Sequence, residues 1–192
     1  MIDLTTFQRV VDALQEAGYA EADIRWSETC GPPADATVFA REAIFVICNS
    51  GMKNTVAQGI YNRVRRALEQ GASASTVFGH RGKTAAIDEL WTHRERYLQA
   101  YLAAEDKLAY CGSLPWIGEI TKYHLAKNFG LQVSKPDVHL QRLADREGCT
   151  PQDLCERLSR ESGYKVATVD VLLWRACALG VIDSRTGEVR VG

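Results

Sequence analysis

The chain has 192 residues, 46% of them hydrophobic and 24% charged, with a formal net charge of −1. That length supports one substantial core or two small lobes, and the near-neutral balance excludes a globally basic nucleic-acid binder. No apolar run approaches the ~20 residues of a membrane span, and the amphipathic start MIDLTTFQRVVDALQEAG lacks the basic and continuous apolar regions of a signal peptide, so a cytoplasmic protein is expected.

Apolar residues recur with a period near 3.6 almost throughout, and almost no segment alternates with period two. Phe7, Val10, Val11 and Leu14 line one face of a first helix that stops near Gly18. A loop is expected next, with Gly31, Pro32 and Pro33 excluding regular structure. Thr37 precedes a helix striped by Phe39, Ala43, Val46 and Ile47 and broken by Asn49, Ser50 and Gly51. Val56, Ile60, Val64 and Leu68 stack at four-residue intervals on the next helix, which Gly71 stops. Shorter helices are predicted at about 84–91, 93–103 and 105–111. Leu114 ends the last of these, Pro115 to Gly118 makes a tight turn, and another helix runs from near Glu119 to Phe129, with Gly130 as its stop. Thr150 and Pro151 suit the N-cap and first turn of a further helix. Val166, Val169, Leu172, Leu173 and Ala176 mark the final long one. The tail VIDSRTGEVRV places Thr186–Gly187 between two short β-prone pieces, a minor hairpin. The predicted fold class is all-α.

The six cysteines, Cys30, Cys48, Cys111, Cys149, Cys155 and Cys177, form no CxxC pair, which argues against zinc ribbons and thioredoxin-like sites and for reduced, mostly buried thiols. Trp26, Trp91, Tyr123 and Trp174 suit either core or a pocket wall, with most of the tryptophans expected in the core.

The turn at 114–118 has a chemistry of its own. Two helices joined so tightly expose backbone N–H groups at the second helix's N-terminus, where the positive end of the helix dipole also lies. A phosphate can dock there without its sequence being read. Taken alone, the same turn is an ordinary corner between helices. From Lys122 to Arg146 five Lys or Arg stand against Asp137 and Asp145, a local basic excess that a solvated face would also show.

The hairpin SLPWIGEITKYHLAKNFG, residues 113–130, is followed closely by VSKPDVHLQRLA, residues 133–144. Together they resemble the helix-hairpin-helix DNA glycosylases, a superfamily that includes endonuclease III, the adenine glycosylases and the alkylpurine glycosylases. The resemblance is most specific from Leu114 to Ala144 and extends more weakly over about 37–180, including VDVLLWRACALG near the end. It implies two helical lobes around a DNA-binding cleft. One lobe would span 41–133, with the helix-hairpin-helix at about 108–130, and the other would combine 1–40 with 134–192.

The function implied is removal of a damaged or modified base from double-stranded DNA in base excision repair, by a monomer associated with the nucleoid. By the resemblance, Asp137 is the catalytic carboxylate. Leu114, Trp116, Ile117 and Gly118 anchor the DNA backbone, with Glu119, Thr121 and Lys122 beside them, and the Leu114 and Ile117 carbonyls would hold a structural K+ or Na+. No catalytic metal is implied. His139 is structural rather than catalytic, Asn49 falls where members fill the gap left by the flipped base, and Lys122, Lys127 and Lys135 would face phosphates.

The chemistry explains the carboxylate. Breaking a base–sugar bond builds positive charge on the deoxyribose, which a fixed carboxylate stabilises while orienting or deprotonating the attacking water. The base must first leave the stack. Asp137 before a helical run is also a natural N-cap, and the two roles are compatible.

The sequence departs from the family's pattern in two respects, and it lacks the cysteine cluster that some relatives carry. Members that also cut the backbone carry a lysine at the second position after the hairpin's last glycine; here that residue is Ile120, which cannot form a Schiff base. The resemblance is therefore to the monofunctional branch, whose product is an intact abasic site. Trp116 stands where the hairpin usually has glycine, which places the fine geometry of the turn in question. The four closely spaced C-terminal cysteines of an iron–sulfur cluster are absent. Two other readings stay open at this point: a non-catalytic helix-hairpin-helix DNA-binding protein, and a helical protein-interaction domain.

Overall fold

A computed structural model describes residues 1–190; Val191 and Gly192, the end of the expected second lobe and of the tail hairpin, lie outside the described residues. The described chain is mostly helical. Its α-helices are α1 (Leu4–Glu16), α2 (Ala20–Thr29), α3 (Ala36–Asn49), α4 (Asn54–Glu69), α5 (Arg81–Thr92), α6 (Arg94–Ala103), α7 (Lys107–Ser113), α8 (Thr121–Asn128), α9 (Val138–Glu147), α10 (Pro151–Ser162) and α11 (Val166–Leu179). Strands β1 (Ile182–Asp183) and β2 (Glu188–Val189) pair antiparallel around Thr186–Gly187, the hairpin expected of the tail.

The chain forms two compact units: Met1–Gly31 with Lys127–Gly192, and Pro32–Ala126. The expected bounds were 1–40 with 134–192, and 41–133. In the Pro32–Ala126 unit, α3 packs against α4, α5 and α6 and buries Phe39, Ala40, Ala43, Ile44, Val46 and Ile47. Its start is set by Asp35, whose carboxylate accepts from the Val38 N–H at 2.8 Å, so the helix begins before Thr37. On α4, Ile60, Val64 and Leu68 are buried as expected, but Val56 is 54% exposed and Ala57 takes its place inside. Steps of four residues overshoot a 3.6-residue turn, so a strict four-residue stack drifts off the buried face.

In the other unit, α11 packs against α1, α2, α9 and α10. Phe7, Val10, Val11 and Leu14 of α1 join Leu140, Leu143, Leu154, Leu158, Leu172 and Leu173 in one core. Thr150 caps α10 in a reciprocal capping box with Asp153, and Pro151 occupies the first turn. The chain start is tied in as well. The Ile2 N–H donates to Glu147 Oε1 at 2.5 Å, and Arg157 Nη2 donates to the Ile2 carbonyl at 3.0 Å.

Helix α2 occupies a stretch expected to be loop. Only Ala20 and Ser27 of its residues are buried, so it shows almost no apolar stripe. Polar contacts to α11 and the residue before it hold it instead. Arg175 grips Asp23 through Nε and Nη2 at 2.8 and 3.0 Å, and Glu28 accepts from the Lys165 N–H and the Thr168 hydroxyl at 2.9 and 2.6 Å.

None of the six cysteines is in a disulfide, and Cys48, Cys111, Cys155 and Cys177 are buried. The tryptophans correct their expectation, because none is buried: Trp26 and Trp116 are exposed, while Trp91 and Trp174 are intermediate. The Arg94 and Arg175 guanidinium groups lie over the rings of Trp91 and Trp174 at 4.8 and 5.1 Å. No described helix is long and apolar enough to cross a membrane.

Candidate nucleic-acid and catalytic site

The hairpin is built around one β-turn. α7 ends at Ser113, and the Ile117 N–H donates back to the Leu114 carbonyl at 3.0 Å. Pro115 therefore sits at the second position of the turn and Trp116 at the third. Trp116 has φ of 64°, and it is the one non-glycine residue with positive φ among the described residues. Proline followed by a positive φ is the pattern of a type II turn, which normally demands glycine at that third position. The glycine of the family's pattern thus has a physical reason, and tryptophan meets the same conformation at a cost of about 1–2 kcal/mol.

Buried Leu114 and Ile117 side chains root the turn, while the Trp116 ring and Ile120 are each 46% exposed. The ring packs on α5: an added Cβ at Gly82 would lie 2.4 Å from Trp116 Cζ3, and the His80 ring meets the indole edge-on at 5.2 Å. Beyond the turn, the Gly118 N–H donates to Thr121 Oγ1 at 2.8 Å, and the Gly118 carbonyl accepts from the Lys122 N–H at 2.9 Å. The N–H groups of Glu119, Ile120 and Thr121 have no acceptor among the described residues. Lys122 donates to Glu119 Oε2 at 2.5 Å and lies against Gly112.

The first turn of α5 also touches the end of α3. Lys83, 3% exposed, donates Nζ to the Ser50 carbonyl at 2.6 Å and to that of Cys48 at 3.4 Å, the residues flanking Asn49. Burial lowers its amine below the ordinary lysine range. Within this unit, α5 therefore supports both the Trp116 turn and the Asn49 segment. His80, Gly82 and Lys83 went unnoticed in the sequence. The signal was a glycine beside a lysine at the start of an amphipathic helix, which has too many structural causes to stand out.

Asp137 belongs to the other unit and caps α9. Its Oδ1 accepts from the N–H groups of His139 at 2.9 Å and Leu140 at 3.1 Å. Its Oδ2 has no hydrogen-bond partner among the described residues, and the residue is only partly buried. One carboxylate oxygen thus holds the helix, and the other takes no part in the cap. His139 is occupied structurally, its Nδ1 lying 3.0 Å from the Oγ of buried Ser184 beside β1.

Behind Asp137 lies a buried charge network. Lys127 is 7% exposed and Asp170 1%. Lys127 Nζ pairs with Asp170 Oδ2, and Asp170 Oδ1 accepts from the Lys135 N–H at 2.6 Å. Burial pushes the Asp170 carboxyl up from the ordinary carboxylate range, against the opposing pull of the Lys127 ammonium and the Lys135 N–H. Burial also lowers the Lys135 amine, which feels the opposing pull of Asp137. This corrects the expected phosphate-facing role of Lys127, because its amine is spent inside the fold. The signal for Asp170 was a lone acid inside the apolar run VATVDVLLW, since a charge on a buried helix face must find a partner.

Comparison with known family models, with characterised proteins and with solved structures gives no match. Among the described residues there is no group of three or more His, Cys, Asp or Glu able to hold a metal ion.

Proposed function

We propose that the protein is a monofunctional DNA glycosylase that flips a damaged or modified base out of duplex DNA and removes it by hydrolysis. The observation that carries this reading is the divided Asp137 carboxylate, with Oδ1 fixed by two backbone N–H groups and Oδ2 outside the cap. Its support is the resemblance of the Leu114–Gly118 hairpin and the Pro136–His139 segment to the glycosylase superfamily.

On this reading the duplex lies in a DNA-binding groove, with a backbone phosphate taking the open N–H groups of Glu119, Ile120 and Thr121, favoured by the helix dipole. The Ile117 carbonyl receives no donor among the described residues, and the Leu114 carbonyl receives one. These are the oxygens that would hold a monovalent cation beside the phosphate. The carbon–nitrogen bond breaks with its electron pair leaving on the base, and Asp137 stabilises the positive charge left on the sugar. Water adds to that carbon and gives its proton to Oδ2. With Ile120 where an amine would have to stand, the product is an intact abasic site.

The test is release of free bases from oligonucleotides carrying a panel of lesions and natural modifications, read by mass spectrometry. Wild-type protein should release a base, and Asp137→Asn should release it about a hundredfold more slowly or worse. Binding to abasic-analogue DNA without any release would instead favour a non-catalytic hairpin protein. Absence of both would leave a helical interaction domain.

A further inference from the structure

We propose that Asp170 is a positioning residue for Asp137, an inference that rests on the glycosylase reading of Asp137. The residues from Leu131 to Pro136 form no regular structure, yet they deliver the proposed catalytic carboxylate to the start of α9. Few contacts fix this segment. The Ser134 N–H donates to Gln152 Oε1 at 2.7 Å, and Gln152 Nε2 donates to the Gln132 carbonyl at 3.1 Å. Both of these reach a side chain of α10. Gln132 Oε1 also accepts from the Ala167 N–H of α11 at 3.4 Å, and the Lys135 N–H is anchored in the interior, on Asp170 Oδ1. The next residue is Pro136, which has no N–H to offer. The Asp137 N–H then donates to the Lys135 carbonyl at 2.7 Å, closing a tight turn directly onto the anchored residue. The route from the core to the carboxylate is therefore Asp170, Lys135, Asp137.

Stability alone does not account for an ionisable side chain in that place. Burying two charges costs free energy, and apolar replacements of buried ion pairs are often neutral or stabilising. Asp170 lies on α11, whose other buried residues include Val169, Leu172 and Leu173. Each of its oxygens has a separate task. Oδ2 takes Lys127 near the end of α8, and Oδ1 takes the Lys135 peptide. Gly130 completes the device: its φ is 79°, and a Cβ there would lie 2.7 Å from Gly31 Cα, so the segment starts pressed against the Cys30–Gly31 backbone.

Two neutral double variants separate positioning from charge. Lys127→Met with Asp170→Asn removes the ion pair but keeps a carbonyl oxygen for the Lys135 N–H. Lys127→Met with Asp170→Leu removes both. Each is compared with wild type in single-turnover base release, in affinity for abasic-analogue DNA, and in hydrogen exchange of the Lys135 amide, well below its melting temperature. The asparagine variant should stay within about threefold of the wild-type rate. The leucine variant should lose about tenfold or more in rate, keep its DNA affinity, and exchange the Lys135 amide faster. If the leucine variant does not fold, Asp170→Ala on the same Lys127→Met background removes the acceptor with a smaller side chain. Equal rates, or equal protection of the amide, in the two variants overturn the positioning role. A wild-type protein that releases no base overturns the glycosylase reading, and the exchange measurement still reports whether Asp170 anchors residue 135.

Discussion

The six-membered ring of Trp116 rests on Gly82 so closely that an alanine methyl there would fall 2.4 Å from Cζ3. A left-handed tryptophan and a glycine notch in α5 thus require one another. Trp116→Gly gives the turn the residue its backbone prefers, so the melting temperature should change little, because relieved strain offsets lost packing. Affinity for duplex DNA should fall about tenfold, ~1.4 kcal/mol, if the exposed indole meets the nucleic acid. Gly82→Ala should displace the ring, shift the tryptophan emission and weaken binding in the same direction. Unchanged affinity in Trp116→Gly takes the ring out of the interface.

The lysines should divide sharply. Lys127→Met strands Asp170 in the core and should cost roughly 3–5 kcal/mol in urea unfolding. Lys122→Met breaks a pair with exposed Glu119 and should leave urea unfolding nearly unchanged, while lowering the slope of log affinity against log salt by about one. Gly118→Asp has room, with Thr121 Oγ1 the nearest atom at 4.0 Å, and should weaken binding to all duplexes alike by adding negative charge. Salt-independent affinity would remove the hairpin from the DNA interface.

Asparagine caps a helix about as well as aspartate, so Asp137→Asn should leave the melting temperature nearly unchanged. Base release should fall by about two orders of magnitude or more, the scale of losing a major acid–base or electrostatic group. Borohydride should trap no wild-type enzyme on DNA, since Ile120 offers no amine. Undiminished release by Asp137→Asn defeats the mechanism, and efficient trapping defeats the monofunctional assignment.

Alkaline pH should destabilise the fold through its thiols. Burial pushes Cys48 up to about 11 and Cys111 and Cys177 up to about 12, from an ordinary value of 9.0. Above pH 9 the unfolded chain loses these protons while the folded chain keeps them. The stability they contribute is therefore full below pH 9 and is lost as pH rises toward 11–12, at up to about 1.4 kcal/mol per pH unit for each thiol. Lys83 opposes this, because its lowered folded value favours the native state as pH rises toward 10.5. Urea unfolding under reducing conditions at pH 8 and pH 10 should show the net loss, and Cys111→Ala should reduce it. An equal loss in Cys111→Ala takes that thiol out of the account.

Strong periodicity made the helices of the core legible in advance: the stripes of α1 and α11 and the capping residues of α10 can be read from residue type and spacing. The turn at 114–118 was legible for a different reason, since Pro115 and Gly118 both disfavour a continuing helix. What escaped notice depends on partners far away in the chain. Helix α2 is held by ionic and hydrogen-bond contacts to α11 and Lys165 rather than by an apolar stripe of its own. Lys127 reads as a surface cation until Asp170 is found beside it. Trp116 reads only as a substitute for glycine until Gly82, far away in the chain, is found beneath its ring.

One unit is assembled from both ends of the chain, with Ile2 held by Glu147 and Arg157. On a ribosome, α1 and α2 are made before α9, α10 and α11 and cannot close their shared core until these have followed, while residues 32–126 form a continuous stretch that can fold in between. At about 5–20 residues per second, synthesis from the end of α2 to the end of α11 lasts roughly 8–30 s. Through that interval the apolar face of Phe7, Val10, Val11 and Leu14 lacks its core partners on the nascent chain, which makes α1 a segment open to chaperone shielding and to degradation during synthesis.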